Sequence, residues 1–209
     1  MDGIYVITER KRGHVEIAQA ALEGGARTIQ LRDKLASTWQ MVAWAEKMRR
    51  LCEQYRALFI INDRLDVAMA AGAWGVHLGT EDMPIPHARR ILGREAVIGA
   101  SVANVFEARA AQAAGASYVA VGSIYPTDTK PDAGPPIGPS IISEIQASVT
   151  IPVIAIGGIN LDNLEECRKA GASSVGVVSA VTAAQDMVQA TRALVERWNE
   201  AGAALTHAG

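Results

Sequence analysis

Ile151-Pro-Val-Ile-Ala-Ile156 runs directly into Gly157-Gly158-Ile159-Asn160. Apart from Pro152 the run is aliphatic, with no alternation of polar and apolar positions. Such a strand is covered on both faces, as in a parallel sheet overlaid by helices. Ala57-Leu-Phe-Ile-Ile61 has the same character. Working outward from these two, similar short apolar runs occur at 3–8, 26–31, 57–61, 74–78, 96–100, 117–122, 152–156 and 174–178. Segments with helical periodicity separate them, at 14–23, 37–55, 64–71, 84–92, 104–114, 139–147, 161–170 and 182–201. Eight strand–helix units in a chain of 209 residues predict an α/β protein, a (β/α)8 TIM barrel, as one domain over 1–209. The tail from about Gly202 is expected to fray.

A weak internal repeat supports this reading. Gly25-Ala26, Gly72-Ala73, Gly115-Ala116 and Gly171-Ala172 each lie between a helix and an even-numbered strand, where glycine ends a helix in a left-handed conformation. A doubly wound open sheet competes, but it normally carries a Gly-rich loop after its first strand. Thr8-Glu-Arg-Lys-Arg12 is not such a loop.

With 49% hydrophobic and 20% charged residues the composition is that of a globular core. A net charge of −2 provides no general basic field, which argues against nucleic acid as a partner and leaves local groups to hold any anion. Cys52 and Cys167 have no metal-ligand spacing and read as buried thiols of a reducing compartment. The N-terminus lacks a signal-peptide pattern, and no apolar run reaches transmembrane length. A cytoplasmic protein acting on small molecules, with no membrane partner, is therefore expected. Composition does not address oligomeric state.

Function in a barrel of this type lies at the carboxyl ends of the strands. Strand 2 ends in Gln30-Leu-Arg-Asp-Lys34, where alternation sends Gln30, Arg32 and Lys34 to one side. Strand 3 ends in Asn62-Asp63 and strand 4 in His77-Leu-Gly-Thr-Glu-Asp82. Asn62, Asp63 and Asp82 could each cap the following helix. Asp63 and Asp82 could instead share a divalent cation, since Mg2+ favours one or two carboxylates plus substrate phosphates. His77 on its own reads as a hydrogen-bonded residue of the barrel layer. Strand 5 ends at Ser101, and strand 6 leads into a proline-rich loop carrying Thr127, Thr129 and Lys130, two hydroxyls and an ammonium suited to phosphate. Gly157-Gly158 after strand 7 and Ser179 after strand 8 sit where barrels of this kind bring backbone N–H groups to a phosphate. Two anion sites on one face result. A phosphate monoester carries about −1.5 to −2 charges; two cations and a metal suit a pyrophosphate better.

Taken together, QLRDK at 30–34, IIND at 60–63, GVHLGTEDMP at 75–84, PTDTKPDAGPPIG at 126–138, IPVIAIGGIN at 151–160 and VVSA at 177–180 resemble the thiamine phosphate synthase family over nearly the whole chain. The resemblance implies transfer of hydroxymethylpyrimidine from its diphosphate to a thiazole phosphate or its carboxylate, releasing pyrophosphate and, from the carboxylate, CO2. Gln30, Leu31, Arg32, Asp33, Lys34, Asn62, Ser101 and Lys130 would hold the pyrimidine diphosphate, with His77 near the pyrimidine. Arg32, Ser101 and Lys130 are the implied catalytic set, and Asp63 and Asp82 the implied Mg2+ ligands. Thr127, Thr129, Gly158, Val178 and Ser179 would hold the thiazole phosphate. A related thiazole tautomerase shares the barrel but uses a histidine after the strand 6 glycine, where this chain has Ser123. A phosphorylated-ligand-binding regulator without catalysis is the reading from another class.

Overall fold

In the structure, a computed structural model that describes residues 1–129 and 134–206, eight parallel strands close into a ring. They are β1 (Gly3–Ile7), β2 (Thr28–Leu31), β3 (Leu58–Asn62), β4 (Gly75–Leu78), β5 (Val97–Val102), β6 (Tyr118–Val121), β7 (Val153–Ile156) and β8 (Ser174–Val177). Each pairs with its sequence neighbour, and β1 pairs with β8 through Gly3↔Ser174 to Val6↔Val177. Helices α1 (His14–Glu23), α2 (Thr38–Gln54), α3 (Leu65–Ala71), α4 (Ile85–Leu92), α5 (Val105–Ala113), α6 (Ser140–Gln146) and α7 (Leu164–Lys169) connect them. Gly25, Gly72, Gly115 and Gly171 all have positive φ, as the repeat requires.

The period of two along each strand creates two separate cores. Outward positions such as Val6, Ile29, Phe59, Ile61, Val76, Val119 and Val175 pack beneath the helices. Inward positions fill the ring with Tyr5, Ile7, Ile60, Tyr118, Ala120 and Ile154. Gly99 is opposite Tyr118 in the β5–β6 register, and a Cβ there would overlap the Tyr118 ring. Its absence lets the phenol lie across the neighbouring strand into the barrel.

Local sequence sets the helix starts. Ser37 and Gln40 form a reciprocal capping box at α2, and the Asn104 side chain accepts from Glu107 N–H at α5. Beyond β8 the helix expected over 182–201 is two elements, α8 (Ser179–Thr182) and α9 (Met187–Thr206). The chain turns between them because Asp186, whose side chain accepts from Gln189 N–H at 3.0 Å, starts a new helix. α9 runs past Gly202 to Thr206 rather than ending near 201. Its Trp198 is fully buried, lies under the Arg168 guanidinium at 4.4 Å and donates to Asp2. Both cysteines are buried and unpaired.

One side chain, that of Asp33, fixes the β2–α2 loop. The Asp33 side chain, 4% exposed, accepts from Arg10 Nε (2.8 Å) and Nη2 (2.9 Å), His14 Nε2 (3.0 Å), Leu35 N–H (2.8 Å) and Ala36 N–H (2.9 Å). Burial alone would raise its pKa; the hydrogen bonds from Arg10, His14 and the backbone outweigh that and hold the carboxyl well below the usual range. Because its folded-state pKa is depressed, this contribution to stability is present above the ordinary carboxylate pKa and is lost as pH falls toward the folded value. Asp33→Asn is expected to cost about 1–3 kcal/mol in urea unfolding at pH 7 and to flatten the acid side of the stability–pH curve. A variant with wild-type stability at pH 7 would show that the loop is held by other contacts.

Candidate active site

At the carboxyl ends of the strands the ring opens into a cavity of about 320 Å³, within the range of small-molecule sites. Gln30, Arg32, Lys34, Asn62, Asp63, His77, Asp82 and Ser101 line one side, and Thr127, Thr129, Gly158, Val178 and Ser179 the other. The two anion-holding groups expected from sequence thus share one chamber. Two residues do not reach it. Leu31 points outward into the helix-covered core, and Asp33 is turned to Arg10 and His14. Strand alternation explains the first. The network at Asp33 explains the second, and it also places Arg32 and Lys34 on the cavity side of the loop. Lys130 lies outside the described residues.

Neither Asp63 nor Asp82 caps a helix. The N-cap positions of α3 and α4 are Arg64 and Pro84, neither with a side-chain cap bond. Asp63 instead has φ 61°, and Arg64 N–H reaches across it to Asn62 O at 2.7 Å. A non-glycine residue held at positive φ stores backbone strain, which is found most often at functional sites. Asp63 N–H is fastened to His77 O at 2.8 Å, and Asp82 accepts from Gly79 N–H at 2.7 Å. These bonds bring the two carboxyl groups together. Burial, then contact with Asp82, raises the Asp63 pKa to about 6, although Lys34 and Arg32 pull the other way. Lys34 Nζ is 3.7 Å from Asp63 Oδ2. Two apposed carboxylates that repel unless a proton or cation lies between them are the donor set a hard divalent ion takes. The residues present fit Mg2+.

On the opposite wall, Gly157 (φ 96°) and Gly158 (φ 67°) turn the chain sharply after β7. A Cβ on Gly157 would overlap Ser123, and one on Gly158 would overlap the Tyr125–Pro126 backbone, so only glycine fits this turn. The backbone N–H groups of Gly158 and Ser179 have no acceptor among the described residues, although both residues line the cavity. Donors left open at a cavity wall suit an anionic ligand. Tyr125 anchors the start of the proline-rich loop by donating to Glu166 at 2.7 Å, and Ile137 N–H returns to Ser123 O at 2.9 Å.

The floor of the cavity was not legible from sequence. Tyr5 and Tyr118 sit inside apolar runs and read as core. In the structure they join Gln30, His77 and Ser101 in one chain of hydrogen bonds (2.6, 3.0, 2.9 and 2.9 Å) across the barrel. Their inward parity is a signal that sequence does contain. Glu107 also lines the cavity while accepting from Ala103 N–H and Asn104 Nδ2.

The chain is similar to known proteins over most of its length. The family described as Thiamine monophosphate synthase matches residues 4–181. A thiamine-phosphate synthase of Methanospirillum hungatei is 47% identical over 194 residues, 91% of this chain and 94% of the relative. One from Chlorobium limicola is 46% identical over 90% of each chain. The solved thiamine phosphate pyrophosphorylase of Pyrococcus furiosus superposes with a TM-score of 0.89 at 44% identity, covering 95% of this chain and 96% of that one. The chain belongs to the thiamine monophosphate synthase family.

Proposed function

We propose that this protein is a thiamine-phosphate synthase, a transferase that joins hydroxymethylpyrimidine, supplied as its diphosphate, to a thiazole phosphate or its carboxylate. The observation that carries this reading is the single cavity with two unlike anion-holding walls. One wall has Arg32, Lys34 and Ser101 beside an apposed carboxylate pair, and the other has open backbone donors at Gly158 and Ser179. A diphosphate with its counter-ion suits the first, and a phosphate monoester suits the second. The only histidine among the described cavity-lining residues is His77, and the position after the β6 glycine is the buried Ser123, so the tautomerase alternative lacks its histidine. None of the described helices is long and apolar enough to cross a membrane; small-molecule substrates and a cytoplasmic location complete the reading.

In this mechanism the bond between the pyrimidine methylene carbon and the diphosphate oxygen breaks first, and pyrophosphate leaves with the bonding pair. The thiazole nitrogen then donates its lone pair to the methylene carbon of the resulting pyrimidine cation; from the carboxylated thiazole, CO2 departs, and the bonding pair it leaves on the ring takes up a proton from solvent. The Arg32 guanidinium, the Lys34 ammonium and the Ser101 hydroxyl stabilise negative charge on the departing group, and Lys130 is assigned the same task. Preorganised charges and donors at that point lower the barrel site's barrier without a protein nucleophile. Gly158, Thr127, Thr129, Val178 and Ser179 hold the thiazole phosphate so that its nitrogen faces the methylene carbon, which makes the attack effectively unimolecular. Asp63 and Asp82 would hold Mg2+, which when bound supplies positive charge to the diphosphate oxygens.

Purified protein given both substrates and Mg2+ is expected to release thiamine phosphate and pyrophosphate in equal amounts, detected by mass. Absence of both from folded protein with verified substrates would overturn the assignment, and binding of either substrate without product would favour the non-catalytic reading.

The carboxylate pair gives a second expected result. Asp82→Asn retains an acceptor for Gly79 N–H but removes a charge. It should raise the Mg2+ concentration for half-maximal rate roughly tenfold or more. Asp63 has a raised folded-state pKa, so its own contribution to stability is greatest below the ordinary carboxylate pKa and falls as pH rises through about 6. Removing Asp82 relieves its share of that cost, and the Mg2+-free melting temperature at pH 7.5 should hold or rise. Unchanged Mg2+ dependence with a lowered melting temperature would make the pair structural.

A further inference from the structure

The hydrogen-bonded chain on the cavity floor has a polarity. Gln30 Nε2 can only donate, so at 2.6 Å the Tyr5 oxygen is its acceptor. The Tyr5 proton then goes to Tyr118, 3.0 Å away. Tyr118, already an acceptor, sends its own proton to His77 Nδ1 at 2.9 Å. A neutral histidine that accepts at Nδ1 carries its proton on Nε2, which faces Ser101 Oγ at 2.9 Å. Four contacts use four protons, one from each of Gln30, Tyr5, Tyr118 and His77. The Ser101 proton is left over, and Ser101 is exposed at the cavity wall.

We propose that Tyr5 and Tyr118 are positioning residues that hold His77 in its Nε2–H tautomer and thereby leave the Ser101 hydroxyl proton to point into the cavity as a donor. Only the identity of what that donor meets, a diphosphate oxygen, rests on the function proposed above; the polarity stands on the Gln30 amide, whose nitrogen faces Tyr5. Reversing the chain would turn the Gln30 oxygen to Tyr5, place the His77 proton on Nδ1 and draw the Ser101 proton to Nε2. Ser101 would then present lone pairs to an anion, which repel it. Both phenols are buried, and burial raises the pKa of each, so each keeps the one proton this count assigns to it. Gly99 is part of the same device, because its lack of a side chain gives Tyr118 its place beside His77. The element-by-element placement is notable for its spread: β1, β2, β4, β5 and β6 each contribute one member, so the ring itself sets the spacing.

The test has two parts. In uniformly 15N-labelled protein, two-bond proton–nitrogen correlations of the imidazole rings distinguish the two neutral tautomers directly. The His77 ring is assigned by its loss in His77→Gln and by its through-bond link to the His77 backbone. The expected result at pH 7.5 is a proton on Nε2 and a bare Nδ1. A proton on Nδ1 overturns the proposal whether or not the protein makes thiamine phosphate. Kinetics supply the second part: Tyr118→Phe keeps the ring volume but removes the donor to Nδ1. It should lower kcat/KM for the pyrimidine diphosphate roughly tenfold or more and leave KM for the thiazole phosphate unchanged. Tyr5→Phe, which touches neither His77 nor Ser101, should shift in the same direction. Wild-type kinetics in both variants, or equal losses for both substrates, would reduce the tyrosines to packing.

Discussion

Closing eight parallel strands into a ring confines every second side chain to a space that water enters only from the ends. Each inward residue must therefore be apolar or find its partners within the ring, since an unpaired buried polar group costs about 1–3 kcal/mol. This constraint organises the molecule. Ile7, Ile60, Ala120 and Ile154 satisfy it by being apolar, and Gln30, Tyr5, Tyr118, His77 and Ser101 satisfy it by bonding to one another. Among the described residues no buried side-chain polar atom lacks a partner. The floor on which a substrate would rest is thus rigid because its members belong to five different strands.

The walls above that floor are arranged differently. Their polar groups are directed at the cavity and are satisfied poorly by the protein alone. Asp63 is held at positive φ against Asp82, and Gly158 and Ser179 present backbone donors that no described residue accepts. Loops bearing such groups need outside support. Asp33 supplies it for the β2–α2 loop through Arg10 and His14, while Tyr125 and Ile137 supply it for the loop after β6. Stability spent at the rim is offset by contacts directed away from it.

How legible this was in the sequence depends on the kind of signal. Continuous apolar runs such as Ala57–Ile61 and Ile151–Ile156 mark strands buried on both faces, and the eightfold alternation marks the barrel. Gln30 could be placed on the cavity side because it lies within β2, which ends at Leu31. Arg32 and Lys34 lie beyond the strand and keep that side because Asp33 is anchored to Arg10 and His14, residues about twenty positions away. Asp63 and Asp82 could have been helix caps by local chemistry; only the third dimension shows α3 and α4 starting elsewhere. Tyr5 and Tyr118 were hidden for the opposite reason. A tyrosine in an apolar run is ordinary core, and its hydroxyl acquires a role only when Gly99 and His77 are brought alongside. The break between α8 and α9 was obscured by the unbroken helix-forming composition of Ala183 and Ala184.

In the proposed function, one cavity holds two anion sites of different construction. Calorimetric titration of Ser179→Asp tests it most directly, because the new carboxylate would face the wall formed by Gly158 and Val178. Thiazole phosphate affinity is expected to fall roughly a hundredfold, the scale of a like-charge contact, while Mg2+-dependent binding of the pyrimidine diphosphate stays within about twofold of wild type. Equal weakening of both ligands in a variant with wild-type melting behaviour would contradict it.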